Sequence, residues 1–140
     1  ASPYSSHWAF ALSESQFMGT SIQDQLWQLQ RQIILDLAEK ESCVIVGRCA
    51  DVILKGHADC LTAFIHAQKD KRAKRIVEVY GETEVAIDKR IRDKDKRRAV
   101  YYEFYTGQTW GLAENFHLAL DSGELGIDTC VAILADLYQR

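Results

Sequence analysis

Apolar residues recur at helical spacing in four stretches of the chain. Ser21 to Asp24 resembles a capping box, and apolar residues then follow every three or four positions up to about Lys40. The same spacing predicts helices at 70–80, with Gly81 as C-cap, at 84–105, and from Ile127 to Tyr138. Each helix therefore has one apolar side that can pack on a neighbouring element.

Short apolar runs between these helices predict strands. They lie at 43–46, 61–66 and 116–120, and a short helix is expected at 51–54. The first run has no polar alternation, which is typical of a central strand covered on both faces. The order of elements predicts an α/β fold, a parallel sheet flanked by helices, over residues 21–140. Residues 1–20 show no periodicity and are expected to form an irregular N-terminal segment.

Charged residues follow the first predicted strand directly. In open parallel sheets ligands bind at the carboxyl ends of strands. Gly47, Arg48 and Asp51 are therefore expected at the ligand-binding edge of such a sheet. Gly47 permits a sharp turn, and the planar fork of Arg48 suits a phosphate or a carboxylate. The alternative is that Arg48 and Asp51 only brace the end of the strand. The residues of this turn alone leave the two interpretations equal.

The helix predicted at 84–105 carries cations on its apolar face. At about 100° per residue, one face collects six residues, with Asp95 on its flank. They are Ile87, Ile91, Lys94, Arg98, Tyr102 and Tyr105. Buried cations need a partner, so Lys94 and Arg98 would face either a carboxylate or an anion-filled cleft. The alternative is a solvated charged helix whose apolar face is interrupted here.

The charge distribution favours a small anionic ligand. The 140 residues have a net charge of −3, but residues 69–98 hold 12 of the 17 Lys and Arg with only 7 Asp and Glu. A nucleic-acid-binding protein would more often be basic overall, so this class is not favoured. No apolar run reaches the roughly 20 residues of a membrane span, and a cytoplasmic protein is expected. The four scattered cysteines predict buried free thiols rather than disulfides or a metal site.

Five segments in a fixed order resemble the cytidylate kinase-like family of P-loop nucleoside monophosphate kinases. The resemblance covers roughly residues 20–138. The segments are Val44-Ile45-Val46-Gly47-Arg48-Cys49-Ala50-Asp51, Phe64-Ile65-His66-Ala67, Asp93-Lys94-Asp95-Lys96-Arg97-Arg98-Ala99-Val100-Tyr101-Tyr102, Tyr105-Thr106-Gly107-Gln108-Thr109-Trp110-Gly111 and Asp121-Ser122-Gly123-Glu124-Leu125-Gly126-Ile127.

The resemblance implies phosphoryl transfer from ATP to a nucleoside monophosphate, CMP in the family, with Mg²⁺ bridging the donor phosphates. It implies that Arg48 grips the acceptor phosphate, with Asp51 nearby, and that residues 69–105 form a basic helical lid. In that lid Arg98 and Asp95, together with Arg92, Lys94 and Arg97, would close over the transferred group. Asp121 and Ser122 would lie near the donor nucleotide. No residue of the chain is implied as a metal ligand.

One part of the family pattern is missing. The 140 residues contain no Gly-rich phosphate loop, and the chain begins without methionine, so we expect an N-terminally truncated kinase-like core that is inactive alone. Cys49 follows Arg48 where simple cytidylate kinases have Gly-Arg-Asp, so the acceptor remains open. The alternative function is a non-catalytic nucleotide-binding, anion-binding or regulatory module on the same fold. A truncated core would expose apolar surface, which is compatible with a homo-oligomer.

Overall fold

The computed structural model describes residues 21–140. The predicted irregular segment at 1–20 therefore lies outside the described residues. The chain divides into two compact units, 1–45 and 46–140, which are described here separately. None of the helices in 21–140 has the length and apolar character needed to cross a membrane.

In the first unit, the described residues form one long helix, α1, over Ile22–Lys40. Ser21 caps it: the backbone N–H of Asp24 donates to Ser21 Oγ at 3.1 Å, and that hydroxyl donates to Asp24 Oδ2 at 2.7 Å. Such a cap satisfies one of the free N–H groups of the first turn. The helix predicted up to about Lys40 is confirmed.

The central strand predicted at 43–46 is wrong. These residues have no regular secondary structure, and the side chains of Val44 and Val46 are 93% and 87% exposed. A strand requires a neighbouring backbone for its N–H and C=O groups. Among residues 21–140, no segment pairs with this run, because the two strands present pair with each other.

The second unit contains a two-stranded parallel sheet and the remaining helices. Strand β1, Ala63–His66, pairs with β2, Leu118–Asp121, so that Ala63 lies opposite Leu118 and His66 opposite Asp121. Helix α2 is Ala50–Ile53, α3 is Lys69–Tyr80, α4 is Ile87–Thr106, α5 is Ser122–Leu125 and α6 is Ile127–Tyr138. A 3-10 turn lies at Ala113–Asn115. The prediction of a parallel sheet accompanied by helices is confirmed for a small sheet of two strands.

Three element starts differ from the predicted ones by more than one residue, including that of β1, which begins at Ala63 rather than at 61. Helix α4 begins at Ile87 rather than at 84, since Thr83 and Val85 form a side-chain turn in which Thr83 Oγ1 bonds both the N–H and the C=O of Val85. Strand β2 begins at Leu118, and its end continues into the short helix α5, which was not predicted.

The core of the second unit takes its buried side chains from α2 and the residues beside it, from α4 and from α6. Its buried side chains are Cys49, Ala50, Ile53, Leu54, Ile91, Tyr102 and Cys130. None of the four cysteines forms a disulfide, as predicted, but only Cys49 and Cys130 are buried; Cys43 is exposed and Cys60 is half-buried. The loop residue Trp110 packs edge-on against Phe64 of β1, with 5.6 Å between ring centroids. This contact explains Trp110 as a packing residue.

Candidate functional site

A left-handed turn presents the first charged pair. Gly47, Arg48 and Cys49 have φ values of 69°, 57° and 58°, and the N–H of Ala50 donates to the carbonyl of Gly47 at 3.2 Å. The left-handed region costs a non-glycine residue about 1–2 kcal/mol, so the surrounding contacts must hold Arg48 and Cys49 there. The turn leaves the Arg48 side chain exposed and places Asp51 in the first turn of α2.

Cys49 is the buried residue of this turn. Burial, with a further contribution from the Asp51 carboxylate, raises the pKa of the Cys49 thiol to about 11, although the Arg48 charge acts in the opposite direction. The thiolate is the reactive form of cysteine, and it is scarcely populated near neutral pH when the pKa is this high. The charged side chains of the turn and of the first residues of α2 are Arg48 and Asp51.

Helix α4 holds both of these residues. The Tyr102 hydroxyl donates to Asp51 Oδ2 at 2.6 Å, and the Arg48 guanidinium carbon lies 5.9 Å from the centroid of the Tyr101 ring. The second distance is within the range of a cation–π contact. Two consecutive residues of α4 therefore fix the two charged side chains of the turn.

The Tyr102 hydroxyl is the centre of a small half-buried polar cluster. The pKa of Tyr102 is raised above its ordinary value, mainly by desolvation and then by the hydrogen bond to Asp51 and the negative charge of the Asp51 carboxylate. The same hydroxyl lies 3.1 Å from Gln108 Oε1. A hydroxyl has one proton, which goes to Asp51, so a half-turn of the Gln108 amide would let its nitrogen donate here.

A second charged cluster joins α3 to α4. Arg72 donates from Nη1 to Asp95 Oδ2 at 2.8 Å and from Nη2 to Asp95 Oδ1 at 2.7 Å, which is the bidentate fork geometry. Arg98 donates from Nη1 to the same Oδ1 at 2.8 Å. The hydrogen bond from Arg72, aided by the charges of both arginines, lowers the pKa of the Asp95 carboxyl. Asp95 is therefore held as a carboxylate between two guanidinium groups.

Apart from the half-buried Arg90, which donates to the carbonyl of Gly81 at 3.0 Å, the cations of α4 are exposed. Lys94 and Arg98 are exposed, although Ile91 and Tyr102 on the same face are buried. Of these two cations, Arg98 does face a carboxylate, that of Asp95, as one interpretation expected, whereas Lys94 is solvated, as the alternative of an interrupted apolar face expected. Arg92, Lys94 and Arg97 are exposed, and within the described part of the chain they make no hydrogen bond or ion pair.

The ends of β1 and β2 form a third cluster. The Asp121 carboxylate accepts from the N–H groups of Gly123 and Glu124, at 2.9 and 3.2 Å, and so caps α5. The Ser122 hydroxyl donates to the carbonyl of His66 at 3.1 Å. Asp121 and Ser122 therefore do lie at the carboxyl ends of the two strands, and both side chains already hold the local backbone.

Lys71 connects the strand ends to α3. Its ammonium donates to the carbonyl of Gly123 at 2.8 Å and to Glu124 Oε1 at 2.6 Å, and the bond to Glu124 is the main cause of its raised pKa. A Cβ on Gly123 would lie 2.9 Å from Lys71 Cδ, so glycine allows this approach. Lys71 and Arg72 are consecutive, and one bonds α5 while the other bonds α4.

The structure thus brings some predicted residues together and leaves others apart. Arg98 and Tyr102 are four residues apart on α4 and are therefore neighbours on its surface, and Tyr102 in turn bonds Asp51. No contact in the described structure joins Asp121 or Ser122 to these residues. The sequence did not single out Tyr102, Gln108, Lys71 or Arg72 as site residues. A pairing such as Arg72 with Asp95, 23 positions apart, follows only from the packing of α3 on α4.

The residues present do not fit a magnesium ion held by side chains. One oxygen of Asp121 already accepts two N–H groups, and Ser122 is bonded to His66. Across residues 21–140, no three His, Cys, Asp or Glu side chains gather as a metal site would require. We therefore assign no step to a metal held by these residues.

Comparisons with known proteins place the chain among kinase-like proteins. The model of the cytidylate kinase-like family matches residues 1–124. A crystal structure of an uncharacterized protein from Eubacterium ventriosum ATCC 27560 is similar to the chain with a TM-score of 0.76 and 33% sequence identity. That similarity covers 87% of this chain and 69% of the other. Among curated proteins, none matches.

Proposed function

Because this chain belongs to the cytidylate kinase-like family, we propose that the full-length protein containing it transfers a phosphoryl group from ATP to a nucleoside monophosphate. The observation that carries the proposal is the arrangement on α4. Within two helical turns this helix presents Arg98, held by Asp95, and the two tyrosines that hold Arg48 and Asp51. Phosphoryl transfer asks a protein mainly to place cations around the phosphate oxygens.

On the acceptor side, Arg48 binds the phosphate of the nucleoside monophosphate. Its guanidinium is exposed and rests on the Tyr101 ring, and among residues 21–140 no carboxylate forms an ion pair with it, so its N–H groups can bind a ligand. Asp51 accepts from Tyr102 through one oxygen and has the other available for a hydroxyl or amino group of the acceptor. CMP is the acceptor that the family suggests.

At the transferred group, Arg98 supplies the main positive charge. It donates one N–H to Asp95 and is 53% exposed, and its other N–H groups have no partner among residues 21–140, so they can bind phosphoryl oxygens. Arg92, Lys94 and Arg97 add positive potential along the exposed side of the same helix. Residues 69–105 then act as the lid, which excludes water and protects ATP from hydrolysis.

On the donor side, the ends of β1 and β2 form one wall of the nucleotide site and do not bind the nucleotide through their side chains. Asp121 and Ser122 hold the turn between β2 and α5, beside which the donor nucleotide would bind. ATP enters as its magnesium complex, with the metal carried by the nucleotide phosphates. The 140 residues contain no Gly-rich loop to cradle those phosphates, so transfer requires that cradle from outside them.

The test is a product assay on the full-length protein with Mg-ATP and each common nucleoside monophosphate. The proposal expects one nucleoside diphosphate and ADP in equal amounts, with CMP as the first acceptor to examine. The missing phosphate cradle favours a second candidate, a non-catalytic module that binds nucleotides or other anions. Calorimetric binding of CMP without formation of any diphosphate would establish that alternative instead.

A further inference from the structure

The geometry around Asp95 assigns a role to Arg72, which no motif includes. We propose that Arg72 is a positioning residue: it orients the Asp95 carboxylate so that Oδ1 accepts from Arg98, and thereby fixes where the Arg98 guanidinium lies. The catalytic purpose of this arrangement rests on the proposed function, whereas the hydrogen bonds among Arg72, Asp95 and Arg98 do not depend on it.

Three distances support the inference. Arg72 occupies both carboxylate oxygens, at 2.7 and 2.8 Å, which fixes the plane of the carboxylate as well as its place. Arg98 then bonds Oδ1 at 2.8 Å. Arg98 and Asp95 are three residues apart on one helix, and such pairs are weakly held when they stand alone. The contact from α3 removes the freedom that the carboxylate would otherwise have.

Burial separates the roles of the two arginines. The side chains of Arg72 and Asp95 are 30% and 27% exposed, whereas that of Arg98 is 53% exposed. The two terminal nitrogens of Arg72 both bond the Asp95 carboxylate, so its fork is directed at Asp95. Arg98 faces solvent with donors to spare. Arg72 thus acts through Asp95, and Arg98 acts on the phosphoryl group.

Arginine also suits the position better than lysine. Its planar fork can occupy both oxygens of one carboxylate, whereas an ammonium acts as a point charge. Arg72→Lys would keep the charge between α3 and α4 but lose the fixed plane. This variant separates positioning from simple charge pairing between the two helices.

The experiment begins with a measurement that does not require turnover. Side-chain NMR order parameters of Arg98 are compared among the full-length wild type, Arg72→Ala, Arg72→Lys and Arg75→Ala. Arg75 is an exposed residue on the same helix that has no hydrogen-bond or ion-pair partner in the described part of the chain. The inference expects the order of Arg98 to fall in both Arg72 variants and to stay at the wild-type value in Arg75→Ala. An unchanged Arg98 in the Arg72 variants would overturn it.

Turnover then tests the consequence. Misplacement of a reacting group by about 1 Å can cost about 100-fold, so Arg72→Ala is expected to lower kcat by about 10-fold to 100-fold while KM for the acceptor stays within about twofold. In an Arg98→Ala background, removing Arg72 should cost no further kcat. An equal loss in both backgrounds would mean that Arg72 only braces the fold, which also overturns the inference. If no diphosphate forms at all, the proposed function fails, and the NMR result still decides whether Arg72 positions Arg98.

Discussion

The hydroxyl of Tyr102 donates a 2.6 Å hydrogen bond to Asp51, a residue 51 positions earlier in the chain. It joins α4 to the left-handed turn at residues 47–49, which also carries Arg48. Arg98 lies one helical turn before Tyr102 on the same helix, so under the proposed function α4 would connect the acceptor-side residues with the lid cations. The proposed arrangement of the site depends on the hydrogen bond between Tyr102 and Asp51.

Tyr102→Phe should therefore weaken the fold without leaving a cavity. A hydrogen bond to a charged group contributes about 1.5–3 kcal/mol, and we expect the free energy of unfolding to fall by about that amount. Urea unfolding followed by circular dichroism measures it. Tyr138→Phe is the matched control, because Tyr138 is exposed near the end of α6 and makes no bond in the described structure. Equal stability of the two variants would contradict the role of the bond.

The cysteines should differ in reactivity. At pH 8 the exposed Cys43 is expected to react with iodoacetamide within minutes, while the buried Cys130 and Cys49, whose thiol pKa is raised to about 11, remain unmodified. Peptide mass spectrometry after timed labelling identifies the modified sites. Labelling in denaturant provides the control, since both buried thiols should then react. Rapid labelling of Cys49 in the folded protein would be inconsistent with its burial.

Asp95 should make stability depend on acid pH. Its pKa is lower in the folded protein than in the unfolded chain, so the unfolded state binds more protons as the pH falls below about 4. The stabilisation by Asp95 is therefore fully present above that pH and is lost as the pH falls through the lowered pKa of the folded state.

The comparison of wild type with Asp95→Asn measures this dependence. Chemical unfolding between pH 3 and pH 7 should give a stability difference that is constant near neutral pH and shrinks towards the acid end of the range. Asp93→Asn, an exposed residue two positions earlier that makes no bond in the described structure, should show no such trend. A difference independent of pH would contradict the ionised pairing of Asp95.

The helices could be predicted because their signal is local. Ser21 as N-cap of α1 and Gly81 as C-cap of α3 were both readable from spacing and residue type. The strand predicted at 43–46 failed because an apolar run does not reveal whether another backbone pairs with it. The start of α4 failed because Thr83 forms a local turn that competes with the helix.

For the candidate site, the residue types could be predicted from the sequence, but most of the contacts that hold those side chains could not. The i, i+3 relation of Asp95 and Arg98 is visible in the sequence, and the two side chains form a hydrogen bond in the structure. The contacts of Arg72 with Asp95 and of Lys71 with Gly123 arise from packing between elements far apart in the chain. Basic residues are too frequent in 69–98 for sequence alone to select those two.

The most direct test of the central claim is the rate of CDP formation by the full-length protein with Mg-ATP and CMP, for the wild type, Arg98→Ala and Arg75→Ala. Arginine contacts to a transferred phosphoryl group are worth about 10³-fold or more, so Arg98→Ala should lower kcat by about that factor while its melting temperature stays close to that of the wild type. Arg75→Ala removes another exposed cation of the same lid and should lower kcat far less than Arg98→Ala does. Transfer that is unaffected by Arg98→Ala, or no transfer to any nucleoside monophosphate by the folded wild type, would contradict the account.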